Sequence, residues 1–299
     1  MSQPLDPEEL TAVAAPPVAS IPAATTMGAV HLTVTDLDRS LDYYSTAVGL
    51  GVLDRSERRA ALGGDQELLV LVEEPGARPA VGHTGLYHFA LLVPERADLA
   101  RWLAHAVRDR VPLVGLSDHF VSEALYLSDS DRHGIEIYWD RPREVWEGRV
   151  GERLTTMPLD VDGLLGELDD PASSPFDGLS PGTVMGHVHF KVTRIPETLG
   201  FWRDELGFGL MAEFANSAVF LSAGGYHHHV GANSWESAGA PPPPEESAAL
   251  RHATIVLPSP EERDKLVGRL ADGGREVEEL PEGPLVRDPS GIGLVLGHS

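Results

Sequence analysis

The same order of elements is legible four times along this chain, and a chain built from four similar units has few folds open to it. Each unit opens on a short β-like run, passes through an amphipathic helix and closes in two or three further strands. The openings are AVHLTVTDLDRSLDYYSTAVGL from Ala29, YHFALLVPERADLARWLAHAV from Tyr87, GHVHFKVTRIPETLGFWRDELGF from Gly186 and RHATIVLPSPEERDKLVGRLADGG from Arg251. Alternating or continuous apolar starts suit strands. The spacings Leu41, Tyr44, Val48 and Leu99, Trp102, Leu103, Ala106 each bury one stripe of a helix. The reading is an α+β chain of four βαβββ modules, at 27–84, 85–142, 185–235 and 250–299. A connection at 143–184, with a short helix expected near Asp162–Leu168, separates the second module from the third. The tract SAGAPPPPEESAA within 236–249 has to be loop, because proline supplies no amide for a helix or sheet interior. Residues 1–26 carry acids, Pro and Ala where a secretory leader would carry a basic start and an apolar core, and are expected to form a disordered arm. A half-sheet needs a partner to bury its face, so four modules predict two pairs and two cleft-forming domains.

Composition narrows the function. Among 299 residues there is no cysteine, so any metal must be held by His, Asp or Glu. The formal charge of -23, with Lys191 and Lys265 as the two lysines, argues against a nucleic-acid surface, which needs clustered cations. No apolar run approaches the length of a membrane span, and a cytoplasmic location without membrane partners is expected.

Paired modules with openings such as GHVHFKVTRIPETLGFWRDELGFGL resemble the vicinal oxygen chelate superfamily, which includes glyoxalases, fosfomycin-resistance proteins and extradiol dioxygenases. The resemblance runs from residue 27 onward and implies a metal ligand at one place in a module's first strand and one in its last. The first-strand places are Ala29, His88, His187 and His252. Matching the turn from Asp129 with that from Asp288 gives Glu136 and Val295 as last-strand places. Modules two and three would then hold His88, Glu136 and His187, with His189 as the alternative to His187, while modules one and four would keep His252 alone. Two imidazoles and one carboxylate are the facial triad of non-haem Fe(II) oxygenases, with Mn(II) suited to the same ligands.

The stretch HFVSEALYLSDSDRHGIEIYW, from His119 to Trp139, is similar to the signature of catechol-2,3-dioxygenase-like extradiol enzymes, departing from it at Ser130 and Arg132 in the turn. That resemblance implies a small aromatic diol and O2 as substrates, His119 and Tyr126 hydrogen-bonding the bound diol, and a general base at His228 in AVFLSAGGYHHHVGAN. The trio His227–His229 reads as part of the last hairpin's strand, where alternation turns His227 and His229 away from His228. The glutamate-bearing module precedes the base-bearing one, the reverse of the commoner two-domain extradiol order. Two rivals are a glyoxalase-like isomerase or lyase, which needs a fourth ligand, and a resistance protein that sequesters a small molecule. A homo-oligomer is expected, of unstated size, and loops 117–124 and 231–249 are expected to read the ring substituents.

Overall fold

The computed structural model describes residues 20–299. The first module supplies β1 (Thr26–Val34), β2 (Gly51–Arg55), β3 (Arg59–Gly63) and β4 (Glu67–Glu73). After a short β5 (Arg78–Pro79), the second supplies β6 (Gly85–Leu92), β7 (Gly115–Asp118), β8 (Ser122–Ser128) and β9 (Gly134–Asp140). The third supplies β10 (Val184–Lys191), β11 (Gly209–Phe214), β12 (Ala218–Ser222) and β13 (Val230–Asn233). A two-residue β14 (Ser247–Ala248), paired with β5, leads into β15 (Leu250–Leu257), β16 (Glu278–Leu280), β17 (Gly283–Arg287) and β18 (Gly293–His298) of the fourth.

Two eight-stranded sheets result, in the orders β16-β17-β18-β15-β1-β4-β3-β2 and β11-β12-β13-β10-β6-β9-β8-β7. Modules one and four therefore share one sheet, and modules two and three the other. At the centre of each sheet the modules' first strands pair antiparallel, and each is flanked in parallel by the last strand of its own module. This is the α+β arrangement of paired βαβββ modules that the repeat implies.

The module helices start where a side chain can take up a free amide. Asp36 accepts from Arg39 N ahead of Leu37–Tyr43, Ser259 from Glu262 N ahead of Pro260–Asp272, and Glu95 and Asp98 form a capping box on Arg96–Asp109. The stripe Leu99, Trp102, Leu103 and Ala106 is buried as its spacing requires. One apolar core runs between the two sheets. Across it the first module holds the β8–β9 turn, with the Tyr44 hydroxyl donating to Asp129 (2.9 Å) and Thr35 and Arg39 to Asp131.

The structure adds to two expectations. Residues 1–19 of the expected arm lie outside the described residues, but 20–26 are placed, with Ile21 buried and its amide bonded to the Gly207 carbonyl at 3.0 Å. The connection holds helices at Arg143–Trp146 and Val150–Arg153 besides the one at Val161–Leu165. Such short turns bury one side chain each, Trp146 and Val150, and leave no periodicity to read. No described helix is long and apolar enough to cross a membrane.

Candidate metal centre

Three central strands of the second sheet carry one rung in common. Ala90 of β6 is paired with Glu136 of β9 on one side and with His187 of β10 on the other. His88, two residues earlier on β6, shares the face of Ala90. The methyl of Ala90 thus leaves open the space toward which three larger side chains lean. His88 Nε2 lies 2.9 Å and His187 Nε2 3.1 Å from the same Glu136 oxygen, and one ligand atom from each residue falls within 4.8 Å of the others.

All three are buried, Glu136 to 2 % exposure. Burial pushes the Glu136 carboxyl up, yet His187 and His88 beside it hold it well below the usual carboxylate range. Burial in turn lowers the pKa of His187 against the pull of Glu136. Despite its closeness to the carboxylate, His88 Nε2 makes no hydrogen bond, and His187 Nδ1 is equally unpartnered. Buried polar atoms are rarely left this way, because each costs its desolvation without return. A divalent cation among the three would satisfy the carboxylate and the His88 nitrogen together, and the donor set of two imidazoles and one carboxylate suits it. His189, the alternative, is turned to Asn233, whose amide lies 3.0 Å from its Nε2.

These side chains line a cleft of about 830 Å³, shared with Tyr126, His119 and His228. Tyr126 faces Glu136 from β8, and burial followed by that carboxylate raises its pKa well above the usual phenol value. His119 Nδ1 is 2.7 Å from the Thr155 carbonyl, which can only accept, so Nδ1 carries the proton. Its Nε2 then accepts from the Tyr126 hydroxyl at 2.7 Å. The turn that aims His119 is pinned by Asp118, which takes the amide of Phe120 (φ 69°) and the guanidinium of Arg141. The 143–184 connection walls this side through Leu154, Thr155 and Thr156.

The histidine trio differs from its reading. His227, His228 and His229 sit in a bend before β13, so strand alternation does not apply to them. His228 packs on His187, with ring centres 4.2 Å apart, and His227 meets it through Nδ1···Nδ1 at 2.8 Å. His229 is turned aside to accept from the Ala223 amide at 3.1 Å. In the β8–β9 turn the left-handed residue is Arg132 (φ 68°), which departs from the family pattern. Gly134 is required for a different reason, since a Cβ there would lie 2.0 Å from the Tyr87 carbonyl oxygen.

Three residues of the site escaped the sequence reading. Asp140 accepts from His227 Nε2 at 2.7 Å and from the Tyr226 hydroxyl at 2.7 Å, and Tyr138 lies 2.8 Å from Tyr226. A signal existed: Glu136, Tyr138 and Asp140 alternate along β9 and so share a face. Tyr138 reaches Tyr226 over Gly186, where a Cβ would meet its hydroxyl at 1.8 Å.

The first sheet repeats the frame without this cluster. Val295 is paired with Thr254, two residues beyond His252, as Glu136 is paired with Ala90, two beyond His88. His252 stacks instead on His31, ring centres 4.0 Å apart. Burial above all pushes them down to about 4 for His252, against the pull of Glu282, and to about 3 for His31.

Comparison with known proteins agrees with this frame. The family model Glyoxalase/Bleomycin resistance protein/Dioxygenase superfamily matches residues 26–137. A Bacillus subtilis (strain 168) protein named Catechol-2,3-dioxygenase is 42% identical over 277 residues, covering 90% of this chain and 96% of that one. Among solved structures, glyoxalase I from Zea mays superposes with a TM-score of 0.55 at 15% identity, over 91% of this chain and 92% of that one. A crystal structure from Bacillus subtilis subsp. subtilis str. 168 gives 0.63 at 14% identity, over 94% and 86%.

Proposed function

Because the chain belongs to the glyoxalase/bleomycin resistance protein/dioxygenase superfamily, we propose that it is an extradiol ring-cleaving dioxygenase acting on a catechol-type diol at an Fe(II) centre held by His88, Glu136 and His187. The observation that carries the reading is the open triad: among the described residues the cluster has three members, which leaves room for two diol oxygens and O2. A glyoxalase-like isomerase would need a fourth protein ligand, and among the described residues no further His, Asp or Glu joins the cluster of three.

When bound, iron(II) would supply a Lewis acid that acidifies the diol and a redox centre for dioxygen. The chain's own residues do the rest. Glu136 and the two imidazoles would bring one carboxylate charge and two neutral nitrogens to the ion, a donor set suited to a divalent cation. His228 borders the cleft beside His187 and is placed to take the proton that leaves the diol. On the opposite wall the Tyr126 hydroxyl, whose proton goes to His119 Nε2 here, can turn that proton to a diol oxygen instead, leaving His119 Nε2 as an acceptor. Tyr87 and Trp235, edge to face at 5.6 Å, supply aromatic surface for the ring.

The test is dioxygen uptake with catechol and Fe(II) supplied anaerobically beforehand. The wild type is expected to consume O2 only with diol present, and Glu136→Ala to show none above background. Metal binding without any diol-dependent uptake, across a series of substituted catechols, would sink the reading.

A further inference from the structure

His228 is held by a chain of hydrogen bonds that can be followed proton by proton. An Asp140 carboxylate can only accept, so His227 Nε2, 2.7 Å away, carries a proton. In neutral His227 the other nitrogen, Nδ1, is then a bare acceptor. It lies 2.8 Å from His228 Nδ1, so His228 must supply the proton of that bond. That leaves His228 Nε2 as the bare nitrogen, on the ring that lines the cleft and without a hydrogen-bond partner among the described residues. Asp140 is fixed in turn by Tyr226, whose hydroxyl spends its proton on the carboxylate and accepts from Tyr138. Trp146 closes over His227 edge-on at 5.4 Å, and His227 is wholly buried.

We propose that Asp140 and His227 are positioning residues which hold His228 in the single tautomer with Nδ1 protonated and Nε2 free to receive a proton from the substrate. A lone imidazole divides itself between two tautomers and rotates; here both freedoms are removed by groups that never touch the substrate. The proposal rests on the ring-cleavage reading for what His228 does, and on geometry alone for how it is held.

The test separates the two. In the full chain, labelled with 15N-histidine and loaded with diamagnetic Zn(II), His228 is assigned by its loss in His228→Gln. The wild type is expected to show its proton on Nδ1. A proton on Nε2, with His227 doubly protonated, would overturn the proposal whether or not the protein turns over catechol. In Asp140→Asn the amide can donate to His227 Nε2, which inverts both tautomers. With iron and catechol this variant should lose about 100-fold or more in kcat, the range of a lost general base. Metal content and KM should stay within about threefold, and Asp140→Glu should recover part of the rate. An Asp140→Asn enzyme with wild-type kcat and an unchanged His228 signal would overturn it equally. Should that variant fail to fold, the wild-type spectrum still decides.

Discussion

At the scale of single residues, the same side chain behaves differently at equivalent places. Asp129 and Asp288 both open the turn before a module's last strand, and each accepts two turn amides through one oxygen. Asp129 also receives Tyr44 and His133, and although burial pushes its carboxyl up, His133 and these bonds hold it below the usual value. Asp288 leaves its second oxygen buried and unpaired, and burial raises it to about 6. A carboxyl raised in the folded state favours folding more as the pH falls through 6 toward 4, and at neutral pH it costs about 2–3 kcal/mol. Asp288→Asn should therefore gain stability over the wild type at pH 7.5 in urea unfolding, with the gap closing by about pH 4. A gap that does not change with pH would contradict this. The cluster His88, Glu136 and His187, the proposed ligands, was legible in sequence because strand register carries position from module to module. Asp140 was not, since its role appears only once Tyr226 and His227 are folded against it from a distant bend.

At the scale of elements, the site exists because three parallel or antiparallel neighbours share a rung whose middle member is small. Replacing Ala90 by Leu would keep every ligand and fill the space between them. Overpacking of this kind costs about 1–3 kcal/mol, so the protein should still fold. It should bind no metal by elemental analysis, and full occupancy in folded Ala90→Leu would show that the ion sits elsewhere. The strands and long helices were readable because apolar periodicity is strong where a face is buried throughout. The bend at 227–229 was not, because a polar run on the edge of a cleft has the composition of a strand end and of a loop alike. What placed the histidines is Gly224 and Gly225, both with positive φ (59° and 68°), which turn the chain out of β12.

At the scale of the molecule, of two frames of the same design one gathers the proposed ligands and the other packs without them. The second sheet holds His88, Glu136 and His187, whereas in the first Val295 stands at the carboxylate place and His252 is stacked on His31. The first module still matters to the site, because Tyr44, Thr35 and Arg39 fix the turn from which Glu136 emerges. The measurement that bears most directly on this account is anaerobic Fe(II) titration of the wild type and of His88→Ala, Glu136→Ala, His187→Ala and His252→Ala, with iron counted per folded chain. One ion per chain is predicted for the wild type and for His252→Ala, with affinity falling at least about tenfold in each of the other three. Full occupancy in Glu136→Ala, or its loss in His252→Ala, would contradict it.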